Sequence, residues 1–254
     1  MNQRIDGLRD KVILVTGGTS GLGLATAQVA AANGAKVICA DLSNSQKSLP
    51  EGCEFQALDV ADWKATEALA KDILARYGQI DGLVTSAGVS ALGDVQSLDL
   101  QEWDKVLRVN LTGSMLSARA VAAHMKQRKT GSIVTIASIN GMLGNPANLA
   151  YCSSKGGVLQ MMRSMAADLG QYGVRVNAIS PGLIDTPMTS MLQSGPARLS
   201  FMKQHLLGRA GNPLEVGHVA AFLLSDLSSF VTGANIPVDG GFSAAKVIEV
   251  AEAQ

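Results

Sequence analysis

A chain of 254 residues that is 47% hydrophobic and 17% charged has enough apolar material for a sizeable core, which excludes disorder. Its 21 Lys plus Arg balance 21 Asp plus Glu, which excludes a bulk field drawing it to nucleic acid or to an anionic membrane. Three cysteines (Cys39, Cys53 and Cys152) without C-x-x-C spacing argue against a disulfide framework. No apolar run reaches the ~18 residues of a membrane helix, and Met1 to Arg9 has no apolar signal-peptide centre, so a cytoplasmic location is expected.

In chain order, the apolar run Val12–Val15 leads into Thr16-Gly17-Gly18-Thr19-Ser20-Gly21-Leu22-Gly23 and then a helical stretch, Leu22–Ala32. Glycine tolerates positive φ and lets a phosphate approach the backbone, and the free N–H groups at a helix start favour an anion. The spacing Gly17, Gly21, Gly23 departs from the usual G-x-G-x-x-G, but the strand–glycine–helix context fits a pyrophosphate. Further strands are predicted at Lys36–Ala40, Phe55–Leu58, Gly82–Thr85, Ser132–Ile136, Arg175–Ile179 and Ala234–Val238. Helices are predicted at Trp63–Tyr77, Gln101–Gln127, Tyr151–Tyr172 and Pro213–Leu224. Most of the seven strands are continuously apolar, as parallel strands covered on both faces are. The β-α-β order therefore predicts one α/β domain over residues 1–254, a doubly wound parallel sheet with right-handed crossovers. Ligands of such sheets bind outside the carboxyl ends of the strands, where Gly17, Asp41, Asp59, Gly88, Ser138 and Pro181 fall.

Tyr151 and Lys155 stand four residues apart in a predicted helix, so phenol and ammonium share a face, about 5–6 Å apart at Cβ. A cation that close is expected to pull a phenol down from its ordinary value near 10, toward a working general acid/base. With Ser138 thirteen residues upstream at a strand end, the set suits proton transfer in alcohol–ketone chemistry.

These signals occur together and in order: Thr16-Gly17-x3-Gly21-x-Gly23, Asp59-Val60, Ala87-Gly88, Asn110, Ser138, Tyr151-x3-Lys155, Pro181-Gly182 with Thr186, and Val238-Asp239-Gly240-Gly241. From about Lys11 to Phe242 the chain resembles a classical short-chain dehydrogenase/reductase, a single-domain Rossmann-like fold using NAD or NADP, usually dimeric or tetrameric. The resemblance implies that Tyr151 exchanges the hydroxyl proton, that Lys155 assists it and holds the nicotinamide ribose, and that Ser138 hydrogen-bonds the substrate oxygen. It implies that Asn110 positions a water in a relay from Lys155 to solvent. Gly17, Thr19, Ser20, Gly21, Leu22 and Gly23 would cradle the dinucleotide, Asp59 and Val60 would meet the adenine, and Ser86, Ala87, Gly88, Pro181, Gly182, Ile184 and Thr186 would complete its site. Asp41 follows the predicted strand Lys36–Ala40, with Leu42 next, twenty residues beyond Gly21, where a carboxylate can accept from both ribose hydroxyls and repel a 2′-phosphate. Ser20 stands where NADP users of the family often carry a basic residue, so NAD is the expected cofactor. One departure is Thr85-Ser86 in place of two asparagines; their hydroxyls are expected to bond local backbone.

A lid is expected over about residues 186–212, with Met188, Met191 and Leu192 toward the substrate, joined by Asn140, Met142 and Asn145 from the preceding loop. The apolar lid favours a moderately hydrophobic alcohol and the asparagines a sugar or polyol; both stay open. His124, His205 and His218 lack metal-ligand spacing, so no metal is expected and the three read as surface or packing residues. Cys152 reads as packing, since no histidine stands beside it. Gln101–Gln127 and Tyr151–Tyr172 are candidates for pairing in a homodimer or homotetramer. Residues 245–254 read either as a tail or as an interface strand. A 3-oxoacyl-[acyl-carrier-protein] reductase and a non-catalytic dinucleotide-binding scaffold are the alternatives to a small-molecule alcohol dehydrogenase.

Overall fold

The computed structural model describes residues 5–46, 48–192 and 194–245. Its strands are β1 (Val12–Thr16), β2 (Lys36–Asp41), β3 (Cys53–Ala57), β4 (Gly82–Thr85), β5 (Gly131–Ile136), β6 (Val174–Pro181) and β7 (Asn235–Val238). They form one sheet in the order β3-β2-β1-β4-β5-β6-β7, parallel at every pairing. The chain steps outward from β1 to β3 and then returns to β4 on the other side of β1. The carboxyl ends of β1 and β4 are therefore a topological switch point, where an open α/β sheet leaves a crevice.

Alternate residues of each strand feed two cores. Leu14, Ile38, Leu83, Ile133 and Val176 face α2 (Trp63–Tyr77), α4 (Gly113–Arg128) and α5 (Leu149–Leu169). Ile13, Val37, Val84, Val134 and Ile179 face α1 (Gly21–Ala32) and α7 (Pro213–Leu224). This is the doubly wound arrangement. Local chemistry sets the helix ends: the Asp62 carboxylate accepts from Lys64 N and Ala65 N at 2.9 and 3.1 Å, and Gly78 closes α2 at φ 72°. Asn212 and Glu215 form a capping box around Pro213 at the start of α7.

Two segments depart from the sequence expectation. Gln101–Gln127 is not one helix: α3 (Leu100–Leu107) passes through a π turn, Arg108–Thr112, into α4. Asn110 sits in that turn, fully buried, with its amide pinned to the backbone of Val89; an inward polar anchor of this kind is a common reason for a π insertion. The lid region contains a 3-10 stretch, Pro187–Leu192, and a short helix, α6 (Pro196–Lys203), neither of which the sequence pattern separates. The last nine residues of the expected tail, 246–254, lie outside the described residues.

Candidate active site

A cleft of about 370 Å³ opens at the switch point. At its centre β1 turns into α1 through Gly17, at φ +65°, and a Cβ there would stand 2.7 Å from Ala87 N in the loop after β4. A side chain at Gly23 would overlap the Gly17 carbonyl. The turn is thus bare backbone pressed against its neighbours, which suits the close approach of a pyrophosphate. Gly17, Ser20, Gly21, Leu22, Asp41, Leu42, Asp59, Val60, Ser86, Ala87 and Gly88 line this half of the cleft. Thr19 does not line it: it is buried, and its hydroxyl and amide reach Asp41 Oδ2 at 2.8 and 3.3 Å, so it holds the carboxylate in place. Gly23 likewise acts one layer below the surface.

The other half is walled by Ser138, Tyr151, Lys155, Pro181, Gly182, Ile184 and Thr186. Ser138 follows β5 and caps a 3-10 turn, its Oγ accepting from Asn140 N at 3.1 Å. The first turns of α5 bring Tyr151 and Lys155 to the same wall. Lys155 Nζ donates to the Ile136 carbonyl at 2.7 Å and lies 5.6 Å from the Tyr151 ring centre. Burial pushes the Lys155 ammonium down to about 8. Burial also holds the Tyr151 phenol above its ordinary value, while a hydrogen bond with Ser138 draws it back. The expectation that the neighbouring cation would lower the phenol is therefore not met: desolvation is the dominant influence, and the hydrogen bond with Ser138 is what opposes it.

Asn110 does not line the cleft but supports it. Its Oδ1 accepts from Val89 N at 2.8 Å, and its Nδ2 donates to Val89 O at 2.9 Å and to Ser154 Oγ at 3.0 Å. Of the expected substrate residues, Met188 lines the cleft and Asn140, Met142 and Asn145 do not; Met142 Sδ instead meets Asn235 Nδ2 at 3.0 Å. The side chains of Met191 and Leu192 lie outside what is described. Sequence reasoning missed several lining residues, among them Val89, Lys105, Val109, Pro187 and Thr189. Val89 was in reach, being the residue after Ala87-Gly88; Val109 lies within the π turn, which the sequence pattern did not show.

One further expectation is corrected, for Thr85. Thr85 Oγ1 finds no backbone partner: it is buried without a hydrogen bond among the described residues. Thr85 sits between Thr16 and Thr135 in the sheet register, where carbonyls are taken up by the ladder. Of the two roles expected for the histidines His205 takes the packing one, buried against Phe201 and Phe242, and both its ring nitrogens are engaged as well. Among the described residues no group of three or more His, Cys, Asp or Glu is placed to hold a metal ion, and no helix is long and apolar enough to cross a membrane.

Comparison with known proteins agrees with this geometry. Residues 17–243 match the family model described as Enoyl-(Acyl carrier protein) reductase. A 3-oxoacyl-[acyl-carrier-protein] reductase of Thermotoga maritima is 38% identical over 242 residues, spanning 92% of this chain and 98% of that protein. A cyclopentanol dehydrogenase of Comamonas sp. (strain NCIMB 9872) is 37% identical over 246 residues, spanning 93% of this chain and 98% of that one. Among solved structures, the ligand-free aldohexose dehydrogenase of Thermoplasma acidophilum matches with a TM-score of 0.89 at 32% identity, covering 96% of this chain and 98% of that one. The chain belongs to the short-chain dehydrogenase/reductase family. It is an oxidoreductase that interconverts an alcohol and a ketone with a nicotinamide cofactor.

Proposed function

We propose that this protein is an NAD-dependent dehydrogenase of an uncharged secondary alcohol, with Tyr151 carrying the hydroxyl proton. The observation that carries the reading is the placement of Ser138, Tyr151 and Lys155 on one wall of the cleft whose opposite half is the Gly17–Gly23 turn. The nicotinamide ring, when bound, supplies or accepts the hydride. Tyr151 takes the proton from the alcohol oxygen, or returns it to the developing alkoxide of a ketone, and Ser138 holds that oxygen by a hydrogen bond as its charge changes. Lys155, fixed by the Ile136 carbonyl, supplies positive charge beside the phenol and donors for ribose hydroxyls. Asn110 commits its side chain to Val89 and Ser154, and its main-chain carbonyl accepts from Ser114 Oγ at 2.7 Å, so its part is to hold the loop after β4 against the wall that carries Tyr151.

The choice of NAD is supported by Asp41. Its Oδ2 is held by Thr19 and its Oδ1 accepts from Leu42 N at 2.9 Å, a fixed carboxylate at the ribose end that would repel a 2′-phosphate. Among the described lining residues the cations are Lys105 and Lys155, and Lys105 is paired with Glu102 at 3.1 Å. An uncharged substrate is supported by Val89, Pro187, Met188 and Thr189, the uncharged residues that complete the wall beyond Tyr151. A reducing cytoplasm agrees with Cys39, Cys53 and Cys152 being free thiols. Self-association is supported by the exposed Leu100, Met115 and Leu149 on α3, α4 and α5.

A second reading, reduction of a 3-oxoacyl group on a carrier protein, is favoured by the relative from Thermotoga maritima. The two are separated by following NADH or NADPH absorbance with cyclic, aliphatic and polyol secondary alcohols and with a 3-oxoacyl thioester. The dehydrogenase reading predicts turnover of an uncharged alcohol with NAD well above that with NADP. Faster NADPH-dependent turnover of the thioester would replace it with the second reading.

A further inference from the structure

His205 lies just beyond α6, 3% exposed, on the lid side of the cleft. Its Nδ1 stands 2.9 Å from the Phe201 carbonyl oxygen and its Nε2 3.1 Å from Leu183 N. A carbonyl only accepts and an amide only donates, so the ring carries its proton on Nδ1 and presents a lone pair at Nε2. The ring also packs against Phe201 and Phe242, with centroids 5.6 and 5.0 Å away, and those two phenyl rings stack at 5.4 Å, so the three rings form one triangular cluster. One side chain thereby joins three separate segments: the lid helix α6, the turn leaving β6, and the C-terminal turn after β7. The fit leaves no room at the turn, since a Cβ on Gly182 would lie 2.7 Å from His205 Nε2.

The turn so held is the wall of the cleft, because Pro181, Gly182, Ile184 and Thr186 all line it. Further backbone groups of the turn are taken up by the lid. Gly211 N donates to Leu183 O at 2.9 Å, Asp185 N donates to Gly211 O at 3.0 Å, and Thr189 Oγ1 donates to Ile184 O at 2.6 Å. Resting on the dehydrogenase reading above, we propose that His205 is a positioning residue whose Nε2 lone pair anchors the Leu183 amide and so fixes the cofactor-facing turn to the lid. Loss of that acceptor leaves a buried N–H unpaired and lets the turn move away from the dinucleotide.

The test compares wild type with His205→Phe, which keeps an aromatic ring against Phe201 and Phe242 but offers no acceptor, and His205→Gln, whose side-chain oxygen reaches the same amide. Hydrogen exchange of the Leu183 amide, measured without ligand, is expected to rise at least tenfold in His205→Phe and to return toward wild type in His205→Gln. The dissociation constant for NADH and the KM for NAD are expected to rise roughly five- to tenfold in His205→Phe with a smaller change in kcat, and to recover in His205→Gln. Thermal midpoints measured alongside separate this from general destabilisation. The proposal is overturned if Leu183 exchanges alike in all three proteins, or if the glutamine variant binds NADH no better than the phenylalanine variant. Failure of wild type to bind NADH would instead overturn the dehydrogenase reading, and with it the role given to the turn; the exchange data, taken without ligand, keep that outcome distinct.

Discussion

Lys155 is a cation held where water is scarce, and this has a measurable sign. An unfolded lysine titrates near 10.5, whereas burial brings this one down to about 8. Between those values the unfolded chain keeps a proton that the folded chain has released, so stability rises with pH across that interval and is flat below it. Relative to Lys155→Met, wild type is expected to gain up to about 3 kcal/mol between pH 8 and 10.5, read by urea unfolding at several pH values. A difference that stays constant with pH would show that the ammonium is well solvated or well compensated. Thr85 gives the opposite lesson, because its buried hydroxyl has no partner among the described residues. Thr85→Val replaces that hydroxyl with a methyl of similar size and is expected to stabilise the fold by about 1 kcal/mol, seen as a higher denaturant midpoint with unchanged slope. At this scale the sequence revealed residues whose chemistry is local, such as Tyr151 and Lys155 on one helix face. It did not reveal His205, whose partners Leu183 and Phe242 come from other elements.

Elements with their own end signals were legible from the chain. Trp63–Tyr77 and Pro213–Leu224 match observed helices, one bounded by Asp62 and Gly78 and the other opened by a capping box. The π turn was not legible, because its cause is a contact between Asn110 and Val89, twenty-one residues away. The short helix α6 was missed for a related reason: eight residues give too few turns for an apolar period to stand out, and its placement comes from Arg198 gripping Asp185 and from the His205 contacts. Because the Asn110 side chain bonds the Val89 amide and carbonyl, Asn110→Ala is expected to cost roughly 2–4 kcal/mol and to loosen the loop after β4. Calorimetric unfolding together with the KM for the dinucleotide would register both effects. An unchanged melting temperature would mean that the helix reverts to regular winding without penalty.

For the whole molecule, the topology does most of the work of assembly. Returning from β3 to β4 beside β1 places the Gly17 turn, Asp41, Ser138 and the start of α5 around one crevice. The β-α-β order made that crevice predictable, which is why most of the residues expected at the dinucleotide do line it. The substrate half was less predictable, since Asn140, Met142 and Asn145 share a loop whose direction is set by contacts such as that between Met142 and Asn235. Asp41 ties topology to cofactor choice: Asp41→Ser removes the fixed negative charge and is expected to reduce the preference for NAD over NADP by about tenfold or more in kcat/KM. An unaltered preference would move discrimination away from Asp41.

The central claim is that Tyr151 transfers the proton in a cleft that binds NAD. It is tested most directly by NADH production from the best secondary alcohol in wild type and in Tyr151→Phe, with NADH affinity measured for both. A fall in kcat of at least about a hundredfold in the variant, with affinity kept within a few fold, is the predicted result. Turnover that survives the loss of the phenol would contradict the assignment.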